Sequence, residues 1–261
     1  MKKLILSLAL LLAATAATAG EMKETIDKTF DVRPGASVKL SNVNGRITID
    51  SWDQPRVHVV AVKEAHGDRD ELAKYMKEMR VELEPRNGGL VITTVHPRGG
   101  NNNDFGFFDW IFGDHVSGSV TYEVTVPRSM NVSVANTNGT ISLSGISGEF
   151  NLDTTNGKIE LSRCAGSIEA TTTNGSIHAE LTRVTKGQPL RFETTNGRIE
   201  VALPRDAAID VDAGTTNGGI SSDLPIVTME KDRNSLRGTI NGGGARLRAR
   251  TTNGGIEIRT L

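Results

Sequence analysis

The sequence predicts an all-β protein: a parallel β-solenoid, β-helix-like, of repeated 18–22 residue coils with a small α+β insertion near its N-terminus. Three observations predict it. The tetrapeptide Thr-Thr-Asn-Gly, or a close variant, recurs through the second half, and the residues around each copy alternate between apolar and polar with a period of two. The composition, 28 Gly and only 4% aromatic residues, suits recurrent turns around an aliphatic interior.

The N-terminal elements come first. Lys2 and Lys3 precede an apolar run from Leu4 to about Ala17, and Ala17-Thr18-Ala19 forms a small-residue cleavage site. Residues 1–19 therefore read as a secretory signal peptide. The run is shorter than the roughly 20 apolar residues of a membrane span, so no transmembrane anchor is expected. No Cys follows it to accept a lipid. Export to the periplasm, the cell surface or the medium is the expectation. Without Lys2 and Lys3 the chain carries 28 basic against 31 acidic residues. That balance argues against nucleic acid as a partner, because phosphate binding needs a basic excess. The lone Cys164 cannot close an intrachain disulfide and reads as a small core residue.

Residues 20–54 read as the first solenoid strands, with Phe30, Val32, Val38 and Leu40 leading into Asn44-Gly45. Residues 55–127 read as an insertion that packs beside the solenoid or caps its end. It holds a strand at Val57–Val62 and a helix from Asp68 to Met79, whose N-cap is Asp68 and whose apolar face is Leu72, Tyr75, Met76 and Met79. Further strands are expected at Val81–Glu84, Leu90–Val95 and Val120–Val126. Between the last two lies a loop in which Phe105, Phe107, Phe108, Trp110 and Phe112 crowd into eight residues. Such rings either cover a solenoid end or present a contact to a membrane surface, a glycan or a partner.

Residues 128–261 are the repeat itself. The Asn-Gly pairs are Asn138-Gly139, Asn156-Gly157, Asn174-Gly175, Asn196-Gly197, Asn217-Gly218 and Asn253-Gly254, at intervals of 18, 18, 22, 21 and 36 residues. The last interval, twice 18, predicts a unit that has lost its signature. Asn42-Val43-Asn44-Gly45 is an earlier, isolated copy. Phe150, Leu152, Thr154 and Asn156, then Ile159 and Leu161, share one face by alternation, and the other units repeat this. Two architectures satisfy it. In a hairpin, Thr154 would face Ile159 across a two-residue turn. In a solenoid, equivalent residues of successive coils stack at the strand spacing of about 4.8 Å. The solenoid is preferred, because a hairpin asks only for turn residues whereas stacking explains why the same four recur. An inward Asn column would form a hydrogen-bonded ladder, and each Gly would supply the positive φ of the bend.

The repeats, Asn44-Gly45-Arg46-Ile47-Thr48-Ile49-Asp50 followed by Trp52, Val126-Pro127 and the closing Gly-Gly-Gly…Leu-Arg-Ala-Arg-Thr-Thr-Asn-Gly-Gly-Ile resemble the bacterial putative-adhesin family of unknown function. The resemblance covers nearly all of the chain after residue 19. It implies a β-solenoid in an exported envelope protein and carries no catalytic residues.

Chemical motifs are sparse. The sequence holds no H-E-x-x-H, G-x-S-x-G, P-loop or C-x-x-C, so no cofactor, metal or catalytic residue is assigned. One outward column, Glu160, His178 and Glu200, would stack in a solenoid and could hold a divalent metal or perform acid–base chemistry. The simpler reading is ordinary charged strand positions, neutralised by Lys158 and Arg198. The expected function is a non-catalytic envelope protein that contacts a surface polymer, a partner protein or itself. The alternatives are a polysaccharide-degrading β-helix enzyme and a periplasmic sensor or regulatory partner in an envelope response.

Overall fold

The structure is a computed structural model that describes residues 16–18, 20–97 and 116–261. Strand β1 (Ala16–Thr18) pairs antiparallel with β2 (Glu21–Asp31). Strands β3 (Ser37–Ser41) and β4 (Ile47–Trp52) flank the first Asn-Gly, and their alternation buries Val38, Leu40, Ile47 and Ile49. Strand β5 (Arg56–His66) lies antiparallel to β2 along its whole length. Helix α1 (Arg69–Glu78) follows, and Leu72 and Met76, with Met79 just beyond it, are buried. The ammonium of the buried Lys63 holds the helix end down by donating to the Met76 carbonyl at 2.9 Å and to Glu24 at 2.7 Å.

Strands β6 (Arg80–Arg86) and β7 (Gly89–Val95) form a hairpin through Asn87 and Gly88, whose φ values of 54° and 79° suit a primed turn. Strand β8 (Ser117–Pro127) ends the segment. β7 is parallel to β3 and β8 is parallel to β4, so these two strands form a coil outside the β3–β4 coil. Of residues 20–54, then, only β3 and β4 are coil strands; β2 instead pairs with β5, which covers the edge of β8.

The regular stack consists of β9 (Asn131–Asn138), β10 (Ile141–Ser144), β11 (Ser147–Asn156), β12 (Ile159–Asn174), β13 (Ile177–Arg183), β14 (Leu190–Asn196) and β15 (Ile199–Leu203). Each coil runs along one face, turns at Asn-Gly and returns along the other. Phe150 pairs with Ile168 and Ile141 with Ile159, both parallel and one coil apart. That register excludes the hairpin. β12 crosses from one face to the other at a bulge where Arg163 takes φ 52°, so it serves two coils and joins both faces into a 21-stranded sheet. Ile47, Ile141, Ile159, Ile177, Ile199 and Ile256 stack as a fully buried column, each contributing about 1.5–3 kcal/mol by burial. Cys164 is a buried free thiol.

The C-terminal part departs from sequence order. β16 (Ile209–Asn217) and β17 (Ile220–Ser222) form the outermost coil, β18 (Val227–Lys231) and β19 (Ser235–Ile240) a hairpin, and β20 (Ala245–Asn253) and β21 (Ile256–Thr260) the last coil. β20 lies between β14 and β16, and β21 between β15 and β17. The 36-residue interval is therefore no degenerate coil. It contains an excursion whose β19 covers the edge of β16 antiparallel, after which the chain slots back inside. Both ends share this plan. A coil from the chain's terminal region sits second, a longer excursion sits outermost, and antiparallel strands blunt the exposed edge.

Candidate functional site

The Asn-Gly corners align into one edge of the solenoid. Asn138 donates from Nδ2 to Oδ1 of Asn44 at 2.7 Å, and Asn156, Asn174 and Asn196 continue the row at 2.8 Å each. Asn253 then bonds Asn196 at 2.7 Å and Asn217 bonds Asn253 at 2.8 Å. The row thus follows space rather than sequence, and it includes Asn44, which the sequence left isolated. Alternation had placed these side chains inside. Asn138, Asn156, Asn174, Asn196, Asn217 and Asn253 are instead exposed, because the chain has already begun to turn at the Asn and strand parity no longer applies.

The inward polar position lies two residues earlier. Thr94, Asn42, Asn136, Thr154, Thr172, Thr194, Thr251 and Thr215 form a buried column, one from each coil. Most of them donate to the glycine carbonyl of the neighbouring coil: Thr172 to Gly157 at 3.0 Å, Thr194 to Gly175 at 2.9 Å, Thr251 to Gly197 at 3.0 Å and Thr215 to Gly254 at 2.8 Å. Asn136 reaches the Gly45 carbonyl in the same way at 3.0 Å. The glycines are required mainly by space. A Cβ on Gly157, Gly175, Gly197 or Gly218 would lie 1.9–2.0 Å from the stacked glycine's carbonyl oxygen. Positive φ, expected at every corner, occurs at Gly45 (129°), Gly139 (138°) and Gly254 (154°) but not at those four.

Beside this edge runs an open groove of about 700 Å³, lined by Arg46, Thr140, Lys158, Ser176 and the exposed Asn156, Asn174 and Asn196. The residue after each Gly stacks in the order Arg46, Thr140, Lys158, Ser176, Arg198 and Gly255, as the backbone bonds from Ile47, Ile141, Ile159, Ile177 and Ile199 show. Arg198 lies 3.6 Å from Glu257. Among the described residues Arg46 and Lys158 form no ion pair or side-chain hydrogen bond.

The outward column Glu160, His178 and Glu200 is in register. His178 lies 3.6 Å from Glu200 and 3.5 Å from Glu180, whereas Glu160 accepts from the Ser142 hydroxyl at 3.2 Å. Burial alone would raise the Glu200 carboxyl. The hydrogen bond from Arg259 and the charges of His178 and Arg259 outweigh it and hold the group below its ordinary value. This is the opposite of what a general acid needs. Among the described residues no group of three or more His, Cys, Asp or Glu side chains is disposed to hold a metal ion.

A smaller recess of about 330 Å³ lies at the opposite corner of the N-terminal coils, between Trp52, Pro34, Pro55 and Arg128. One face of the Trp52 indole stacks on His58 at 6.1 Å, and its N–H donates to the Arg56 carbonyl at 2.8 Å. Phe105, Phe107, Phe108, Trp110 and Phe112 lie outside the described residues. Before them, β7 keeps register with β3 as far as Thr93, opposite Ser41.

Comparison with known proteins adds the following. The family model described as Toastrack DUF4097 matches residues 36–259. Among solved structures, the chain is similar to a putative cell adhesion protein from Clostridium sporogenes at 12% identity, covering 91% of this chain and 100% of that one, with a TM-score of 0.45. It is similar to a putative adhesin from Bacteroides fragilis at 6% identity, covering 90% and 96%, with a TM-score of 0.39. A putative adhesin from Parabacteroides distasonis is 12% identical over 91% and 97%, with a TM-score of 0.31. No curated protein matches.

Proposed function

The chain belongs to the Toastrack DUF4097 family, and from that premise we propose that it is a non-catalytic, exported cell-envelope protein that holds an extended surface polymer along its Asn-Gly edge. The observation that carries this reading is the continuous row of exposed Asn amides beside an open groove that crosses successive coils. In the ladder each of Asn138, Asn156, Asn174, Asn196, Asn253 and Asn217 uses one of its two N–H donors on its neighbour, which leaves a second donor and spare acceptor capacity facing water at each of these coils. A linear polymer laid across the coils meets the same donor at each step, so many weak bonds add without any one pocket. The names of similar proteins as adhesins accord with a surface role, and the reading of residues 1–19 as a signal peptide supplies the route of export. The lowered Glu200 carboxyl and the Ser142-bound Glu160 give no support to the rival polysaccharide-degrading enzyme.

The test is co-sedimentation of the purified protein with the producing cell's envelope fraction, with released reducing sugar assayed in the same tubes. Thr140 and Ser176 point out of the strands into the groove, so a Thr140→Trp, Ser176→Trp variant fills it while leaving the core alone. Sedimentation of the wild type, lost in this variant with its unfolding midpoint unchanged, is the expected result. Sugar release, or equal sedimentation of both proteins, refutes the reading.

A further inference from the structure

The groove carries two periods, and the second one specifies a ligand. The Asn amides recur once per coil, about every 4.8 Å. The cations Arg46 and Lys158 in its lining stand two coils apart, about 10 Å, with the small hydroxyl residue Thr140 between them, and beyond Ser176 the stack continues to Arg198, outside the lining, at the same two-coil spacing. An extended pyranose advances a polysaccharide by close to one strand spacing. Resting on the polymer-binding reading above, we propose that the ligand is an acidic polysaccharide in which a uronate alternates with a neutral sugar.

Each part of the groove then has a counterpart. The amides meet the hydroxyls and ring oxygens that every sugar presents. Arg46 and Lys158, exposed and without an anionic partner among the described residues, meet the carboxylates of alternate sugars through charge-assisted hydrogen bonds. Arg198 continues the series more weakly because Glu257 already lies 3.6 Å away. Thr140 and Ser176 leave room for the uncharged sugar. Glu160, also in the lining, accepts hydroxyl donors and repels any polymer whose charges recur at every unit. A nucleic-acid strand, charged at each nucleotide and without comparable donors, fits less well on both counts.

The experiment measures binding of the full chain at low ionic strength to four probes: a polymer alternating glucuronate with N-acetylglucosamine, polygalacturonate with a carboxylate on every sugar, neutral dextran and single-stranded DNA. The alternating polymer should bind most tightly. Arg46→Gln and Lys158→Gln should each weaken it about fivefold, as for an exposed charge pair, and the double variant about 25-fold because the sites are two coils apart. Thr140→Lys with Ser176→Lys, which places a cation on every coil, should shift the preference toward polygalacturonate. Equal binding of alternating and fully charged polymers by the wild type, tightest binding of dextran or DNA, or glutamine variants that bind like the wild type would overturn the proposal. If envelope co-sedimentation persists in the glutamine variants, the uronate inference alone fails. Absence of wild-type sedimentation removes the polymer-binding reading beneath it.

Discussion

Replacing Gly175 by Ala tests the packing logic of the corner most directly. The new Cβ would lie 1.9 Å from the Gly157 carbonyl oxygen and 2.5 Å from its carbon, whereas real Cβ contacts stay beyond 3.0 Å. The two coils must therefore separate locally by about 1 Å. Three bonds span them at that point, each at 3.0 Å: Gly157 N–H to Asn174 C=O, Ile159 N–H to Ser176 C=O, and the Thr172 hydroxyl to Gly157 C=O. Stretching by about 1 Å takes all three past useful length. At about 1 kcal/mol each, the expected destabilisation is about 3 kcal/mol. Gly219 is the control, since a Cβ there meets nothing within 4 Å and its φ lies outside the left-handed region. Gly219→Ala should be neutral or stabilise by up to about 1 kcal/mol through the unfolded chain. Urea unfolding of both variants, with m-values compared to confirm a common unfolded reference, gives the answer. A Gly175→Ala protein within about 0.5 kcal/mol of wild type would refute the claim that space, rather than turn conformation, selects glycine here.

Asn174→Ala removes the donor to Asn156 and the acceptor for Asn196, both at 2.8 Å. Because the row is exposed and water can replace the lost partners, the expected cost is about 1 kcal/mol, read from the unfolding midpoint; a loss above about 3 kcal/mol would mean that the amides are sealed from solvent. Glu200 yields a pH prediction. Its folded-state value is lowered, so its stabilisation is fully present above the unfolded value of about 4.3 and is lost as pH falls through the lower folded value. The stability gap between wild type and Glu200→Gln should accordingly be present at about pH 5 and close on further acidification. A gap that persists undiminished at the acid end would contradict the Arg259 pairing.

The Asn-Gly recurrence and the two-residue alternation contain enough information for the solenoid, its coil length and the inward Thr column, because strand parity and stacking are local consequences of the backbone. The same alternation misplaced the Asn side chains. Parity holds only along a strand, and at the corner the chain turns before the Asn is reached. The coil order was invisible as well: intervals in sequence count residues, whereas β20 reaches its place between β14 and β16 by way of a hairpin that no period encodes. The structure likewise made Asn44 a ladder member, although the sequence shows it as an isolated copy. Arg46, Lys158 and Arg198 are 112 and 40 residues apart in the chain, and their two-coil spacing exists only once the coils are stacked. The sequence by itself determined a repeating β unit with an Asn-Gly corner, since each unit's pattern is its own. Only the tertiary structure decided which unit lies beside which, and therefore what the edge presents to a ligand, because parallel pairing between coils is a non-local choice.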